Sequence, residues 1–235
     1  MKAIITLGLV LLFGNSVWAQ FGSVKNDPEK TGYERKGKME FGLQHSINFV
    51  SLVGEGPTTS FGVIETKFVP VGVRLTASVG GFGNYYLTEK LSFQFEFMFA
   101  FYGSHFSLEK KVYHDLGYFE STSKKTYAMR YIKLPLTLNY LVADNFYVQG
   151  GGYFSTLINA RSYENLWSFG PNVEDVNNLN PIDIGLIGGV GIETKVVRIG
   201  VRYSYGFLNV FDNYGTADLH NSVFEVSAHW KLNKK

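Results

Sequence analysis

From Leu91 to Phe101 every second residue is large and apolar: Leu91, Phe93, Phe95, Phe97, Phe99 and Phe101, with Ser92, Gln94, Glu96, Met98 and Ala100 between them. Side chains alternate faces along a strand, so this run puts a wall of phenylalanine on one side. A helix would scatter the same rings around its circumference. The alternation recurs along the chain and predicts strands over about 39–51, 72–87, 90–106, 127–142, 146–161, 182–195, 197–210 and 222–232. The high content of Phe (20), Tyr (15) and Gly (26) agrees with strands, turns and close strand contacts.

The spacing between these segments alternates too. Short links fall at Thr88-Glu89, Ala143-Asp144-Asn145 and Lys195-Val196, and long ones at about 52–71, 107–126, 162–181 and 211–221. Outer-membrane barrels pair short periplasmic turns with long external loops, and an even strand count leaves both termini in the periplasm. The expected fold is an all-β, eight-stranded antiparallel up-and-down transmembrane β-barrel. Phe61 to Phe68 reads either as an extra strand or as the second strand continuing above the membrane.

The amino terminus reads as an export signal. Lys2 precedes the 11-residue apolar run Ala3–Phe13, too short to span a bilayer, and Val17 and Ala19 suit a cleavage site. The expected division is a signal peptide over 1–19, a flexible periplasmic leader over 20–38, the barrel over 39–232 and a tail over 233–235. No later run of 18 apolar residues offers a membrane helix. An exported chain of this kind is soluble or a barrel. The absence of cysteine excludes disulfides, thiol catalysis and a lipidated cysteine, and a net charge of +2 points to no nucleic-acid partner.

If the barrel were soluble and lipocalin-like, the apolar face would point inward, and eight strands enclose too little space for so many rings. The inverse arrangement places Phe93, Phe95, Phe97, Phe99, Leu134, Leu136 and Leu138 against lipid. It puts Arg74, Glu96, Lys133, Asp183, Glu193, Arg198, Arg202 and Glu225 inside, as a charge network that plugs the lumen by pairing. Tyr85, Tyr86, Tyr140, Phe146, Tyr147 and Trp230 fall near the periplasmic strand ends and are expected to form an aromatic girdle there.

The run Tyr131-Ile132-Lys133-Leu134-Pro135-Leu136-Thr137-Leu138-Asn139-Tyr140 resembles the YIxIPLxLKY strand of the Bacteroidetes outer-membrane β-barrel family, the porin-family or PorT-like proteins. Asp183, Gly185, Gly189 and Gly191 resemble its DxGxxxGxG strand, and Arg202-Tyr203 with Gly206, Leu208 and Asn209 its RYxxGLxNI strand. The resemblance covers most of the chain after residue 39. It implies a barrel in the outer membrane of a Gram-negative bacterium, and one branch of the family serves type IX protein secretion. Two departures stand out. Pro135 lies inside a strand, where a local bulge would accommodate it, and Trp230 is followed by Leu232 and a polar tail instead of a terminal aromatic.

Chemistry is sparse. His45, His105, His114, His220 and His229 show no metal-ligand spacing. His105 and Ser107 stand two apart, as in some barrel enzymes that trim lipid A, with Glu109 nearby. The glycine runs at 80–83, 150–152 and 188–191 lack the Lys-Ser/Thr of a phosphate loop and suit close strand packing. The acidic and amide residues at 172–180 lack a calcium-loop spacing and read as a solvated loop. The sequence therefore predicts a non-enzymatic, monomeric barrel without cofactor or metal, in contact with outer-membrane lipid and open to protein partners through its external loops. The alternatives are an accessory of type IX secretion, a soluble ligand-binding barrel and a lipid A-modifying enzyme.

Overall fold

The computed structural model describes residues 35–115, 117–166, 170–176, 178–211 and 217–233. The expected signal peptide, all but the last four residues of the leader, and the last two of the tail lie outside the described residues. The strands are β1 (Met39–Glu55), β2 (Thr58–Phe61), β3 (Ile64–Val71), β4 (Arg74–Tyr86), β5 (Leu91–His114), β6 (Gly117–Leu141), β7 (Phe146–Leu166), β8 (Gly170–Asp175), β9 (Ile182–Glu193), β10 (Val197–Gly206) and β11 (Asp218–Lys231).

Eight of them close a ring in the order β1, β4, β5, β6, β7, β9, β10, β11 and back to β1. Every pairing is antiparallel. Closure is made by β1 and β11, with Ile47 opposite Val226. A closed ring satisfies its backbone internally and has no edge, which is what a strand-built membrane span demands. The eight-stranded up-and-down barrel is thus the fold. The last four leader residues pack on the rim with the short turns, where Gly37 N donates to Tyr86 O at 2.8 Å and Arg35 N to Glu89 Oε2 at 2.9 Å.

Three strands stand outside the ring at the end with the long connections. Phe61–Phe68 belongs to an added hairpin: Phe61 pairs with Ile64 across a turn at Gly62, whose φ of 59° suits glycine. Its second strand, β3, pairs with β5 from Val71–His105 up to Ile64–Val112, and β8 pairs with β7. The expected loop over 107–126 is strand as well, paired without interruption to His114–Gly117. Residues such as Glu109, Lys110, Lys111, Ser121, Thr122 and Lys124 are exposed or only half-buried, so no apolar period marks them. The expected loop over 162–181 contains the end of β7 and all of β8 for the same reason.

Pro135 is not at a bulge. The β5–β6 register is the same on both sides of it, Phe95–Leu136 and Met98–Lys133, but the ladder lapses for the two positions between. The missing N–H is accommodated by an interruption in the ladder. The bulge lies between Arg130 and Tyr131, on the side facing β7.

Candidate functional site

Alternation along the ring strands sets two surfaces. Outward, Phe93, Phe95, Phe97, Phe99, Leu134, Leu136 and Leu138 are all exposed, from 36% to 51%. A face this apolar and this open is made for hydrocarbon, not water. The soluble arrangement, with this face inside, is overturned.

Inward, the half of the barrel nearer the short turns holds a charge network. Arg202 sits between two carboxylates, Nη1 2.7 Å from Glu96 Oε1 and Nη2 2.7 Å from Glu225 Oε1. Arg198 Nη2 lies 3.2 Å from Glu193 Oε2, and its Nη1 donates to Gln94. Lys231 bridges Glu193 and Glu40, and the Tyr86 hydroxyl donates to the same two, at 2.8 and 3.0 Å. Lys133 donates to the Tyr102 hydroxyl at 2.9 Å and to Ser204 at 3.1 Å, with its ammonium 4.4 Å from the centre of the Tyr153 ring. Asp183 accepts from Tyr153 and Asn221, both at 2.9 Å.

Seven of the eight expected interior charges are therefore buried together. Arg74 is the exception. It is half-buried, and its guanidinium donates to the Tyr127 carbonyl at 2.5 Å. No carboxylate pairs with it among the described residues. Glu40, Lys231 and His229 complete the network; the alternation of their strands puts all three on the polar face, although they were not among the expected network charges. Tyr86 and Tyr147 leave the expected girdle for the interior, at 2% and 1% exposure. Tyr85, Tyr140 and Phe146 remain outside. The Trp230 indole N–H donates to His45 Nδ1 at 3.3 Å.

The resemblance motifs acquire reasons here. A Cβ on Gly189 would lie 2.7 Å from the Arg202 Cβ, and one on Gly191 2.5 Å from the Tyr147 hydroxyl, so the glycines seat the large interior side chains. Asn209 holds the β10–β11 connection, donating to Ala217 O and accepting from the N–H groups of Phe211 and Leu219 at 3.2 and 3.1 Å.

That connection delivers a second interior tier. Toward the external end the inward positions become Val50, Leu52, Tyr102, Phe106, Tyr127, Met129, Tyr131, Leu219 and Val223, all buried. Leu179 and Phe211, joined by an isolated bridge, close over them. Phe211 meets Phe106 at 6.0 Å and Tyr127 at 6.1 Å between ring centres. The sequence reading expected only polar residues inside and missed this aromatic tier.

Catalytic geometry is weak by comparison. His105 Nδ1 contacts the Thr126 hydroxyl at 2.9 Å, while Ser107 sits two residues along the same face. Among the described residues no three His, Asp or Glu side chains gather as metal ligands. In the segment 172–180, Glu174 and Asp175 pair with Lys125 and Arg161, both at 3.3 Å, and Asn177 lies outside the described residues.

A closed ring, an apolar outside and a charged inside, with short turns at one end and long strand extensions at the other, define an outer-membrane β-barrel. The sequence matches the family described as outer membrane protein beta-barrel domain over residues 18–212, and the chain belongs to that family. Among solved structures it is similar to Ail, the attachment invasion locus protein of Yersinia pestis, at 10% identity over 84% of this chain and 99% of that one, TM-score 0.44. It is similar also to Neisserial surface protein A, at 11% identity over 82% and 97%, TM-score 0.44. A third is the outer membrane protein OprG from Pseudomonas aeruginosa, at 10% identity over 84% and 95%, TM-score 0.42. No curated protein matches the chain.

Proposed function

We propose that the barrel is a non-conducting, non-enzymatic anchor that works through its external sheet. The observation that carries this reading is the doubly filled interior. In the lower tier five carboxylates (Glu40, Glu96, Asp183, Glu193, Glu225) meet five bases (Arg35, Lys133, Arg198, Arg202, Lys231), so no net field draws an ion inward. In the upper tier Phe106, Tyr127 and Phe211 fill the bore with rings. Small barrels of this strand number enclose only side chains, unlike the wide porins.

The sheet β2–β3–β5–β6–β7–β8 projects beyond the apolar band and carries Phe61, Val63, Tyr113, Tyr118 and Phe119 exposed near its hairpin tips. Exposed aromatics of this density suit protein partners, and the barrel works as a monomer. The motifs on β6, β9 and β10 support placement among the Bacteroidetes PorT-like barrels. Within that branch an accessory role in type IX secretion is the second reading, tested by loss of secreted cargo in a deletion strain. The test of the main reading is single-channel recording in planar bilayers. We expect no stable conductance steps from the intact chain, and steady open channels would overturn the anchor reading.

A further inference from the structure

The outer surface of β5–β7 changes character just above the lipid-facing band. On β5 the phenylalanines stop at Phe101 and are followed on the same face by Gly103 and His105. On β6 Leu134 and Ile132 give way to Arg130, Ala128, Thr126 and Lys124. The register lays these out in rows. Phe101 is opposite Arg130, Gly103 opposite Ala128 and Arg161, and His105 opposite Thr126 and Tyr163. The middle row has small residues on two of its three strands. Above it a recess of about 510 Å³ is lined by His105, Lys124, Thr126 and Tyr163, with Val71 and Gly72 at one end.

Lys124 lines this recess, and further basic groups lie along the same strands below and beside it. Arg74 reaches across to the Tyr127 carbonyl at 2.5 Å and interacts electrostatically with Tyr163. Arg161 shares one exposed carboxylate, Asp175, at 3.3 Å. Lys124 and Arg130 make no ion pair among the described residues.

We propose that this recess binds the phosphate of an outer-leaflet glycolipid headgroup, with the acyl chains lying along the Phe97–Phe99–Phe101 wall. The reading rests on the outer-membrane placement and names a lipid partner for it. Three observations carry it. The height is right: Arg130 pairs with the last ring of the apolar band, so the basic groups begin where hydrocarbon ends. The charge is right: Arg74, Lys124, Arg130 and Arg161 outnumber the carboxylates of Asp175 and Glu109 on this face, and arginine forks match phosphate oxygens. The shape is right: the recess lies on the same face as the phenylalanine wall, two register rows above Phe101, with the Arg74 side chain crossing Gly103 between them. A free anion would gain nothing from that wall, whereas an amphiphile uses both parts.

The test is titration of the full chain, refolded in uncharged detergent, with bisphosphorylated lipid A, its dephosphorylated form and inorganic pyrophosphate, read by native mass spectrometry. Lipid A should bind at least ten-fold more tightly than either control. The double variant K124Q/R130Q should bind lipid A about 30-fold more weakly, each basic side chain near a membrane surface contributing roughly fivefold. Neither side chain holds the fold, so both proteins should keep a heat-dependent gel shift. Equal lipid A binding by parent and variant overturns the site. Pyrophosphate binding as tight as lipid A makes it a soluble-anion site, and equal binding of dephosphorylated lipid leaves only the apolar wall; either also overturns the proposal. Loss of the gel shift in the parent itself would sink the anchor reading along with it.

Discussion

The lower and upper halves of the barrel interior are built from the same strands, with the same residue parity, yet from opposite chemistry. On β5 the inward positions run Gln94, Glu96, then Tyr102 and Phe106; on β6 they run Asn139, Thr137, Lys133, then Tyr131, Met129 and Tyr127. On β1 Gln44, Ser46 and Asn48 give way to Val50 and Leu52, and on β11 Lys231, His229 and Glu225 give way to Val223 and Leu219. No register shift accompanies the change on β1 or β11. What changes is the solvent outside. Where hydrocarbon covers the wall, the outward face takes the apolar residues and the inward face is left to hydrogen bonds and ion pairs. Where water covers the wall, the strands revert to the ordinary plan of a soluble sheet, with apolar residues packed inside. One strand thus serves two solvents by inverting its amphipathicity midway.

The comparison breaks most sharply at Arg202. Removing one member of a buried ion network leaves its partners uncompensated. Arg202→Met strands both Glu96 and Glu225, and should destabilise the barrel by about 4–5 kcal/mol, read from the urea midpoint of the heat-shifted gel band in lipid vesicles. The triple variant Arg202→Met, Glu96→Gln, Glu225→Gln should recover most of that loss. If the single and triple variants unfold at the same midpoint, the lower tier is not held by charge pairing.

The upper tier should respond to volume instead. Phe106→Ala removes a ring packed against Phe68, Tyr127 and Phe211, at about 3–4 kcal/mol for a lost buried aromatic. Its effect should be insensitive to salt and pH. An equal loss from Phe106→Leu would mean that packing does not govern this tier. On the outer wall, Phe97→Arg lies at the middle of the lipid-facing run and should cost roughly 2–3 kcal/mol. Its signature is reduced assembly into vesicles with little change in detergent. Normal assembly of that variant would reverse the inside–outside assignment.

The lipid-covered zone was the legible one, because there the two faces differ most. The period from Leu91 to Phe101 placed β5 and its lipid face, and the same parity placed seven of eight interior charges. Above the membrane the contrast fades. Phe101, Tyr102 and Phe106 are all aromatic although they face opposite ways, and beyond them Lys110, Lys111 and Glu120 meet water whichever way they point. Periodicity is silent there, so paired strands passed for loops. Arg74 shows another limit. Its parity points inward, but β4 parts from β5 above Ser78–Ala100, and the side chain crosses to the Tyr127 carbonyl. Residue alternation does not report where two strands separate. Tyr86 and Tyr147 show a third: their residue type suggests a girdle, but the parity of their strands directs both inward.

The smallest expected effect lies at the short-turn rim and concerns how the chain enters the barrel. Glu89, in the β4–β5 turn, accepts from the backbone N–H groups of Arg35 at 2.9 Å and Lys36 at 3.2 Å. The Arg35 bond first, then that of Lys36, holds its carboxyl below the usual range. A depressed folded-state pKa means that the stabilisation is present above the unfolded-state value and is lost as pH falls through the folded one. The Arg35–Lys38 turn should therefore stay docked at neutral pH and loosen on acidification below the ordinary glutamate range. Amide resonances of Arg35 and Lys36 should shift together along that titration, with a midpoint below that of a free glutamate. Glu89→Gln should remove the pH dependence while leaving the barrel's heat-dependent gel shift intact, because the carboxylate is fully exposed and only anchors the entering strand. Resonances that ignore pH in the parent, or that titrate unchanged in Glu89→Gln, would show that the rim is held by the Gly37–Tyr86 backbone bond alone.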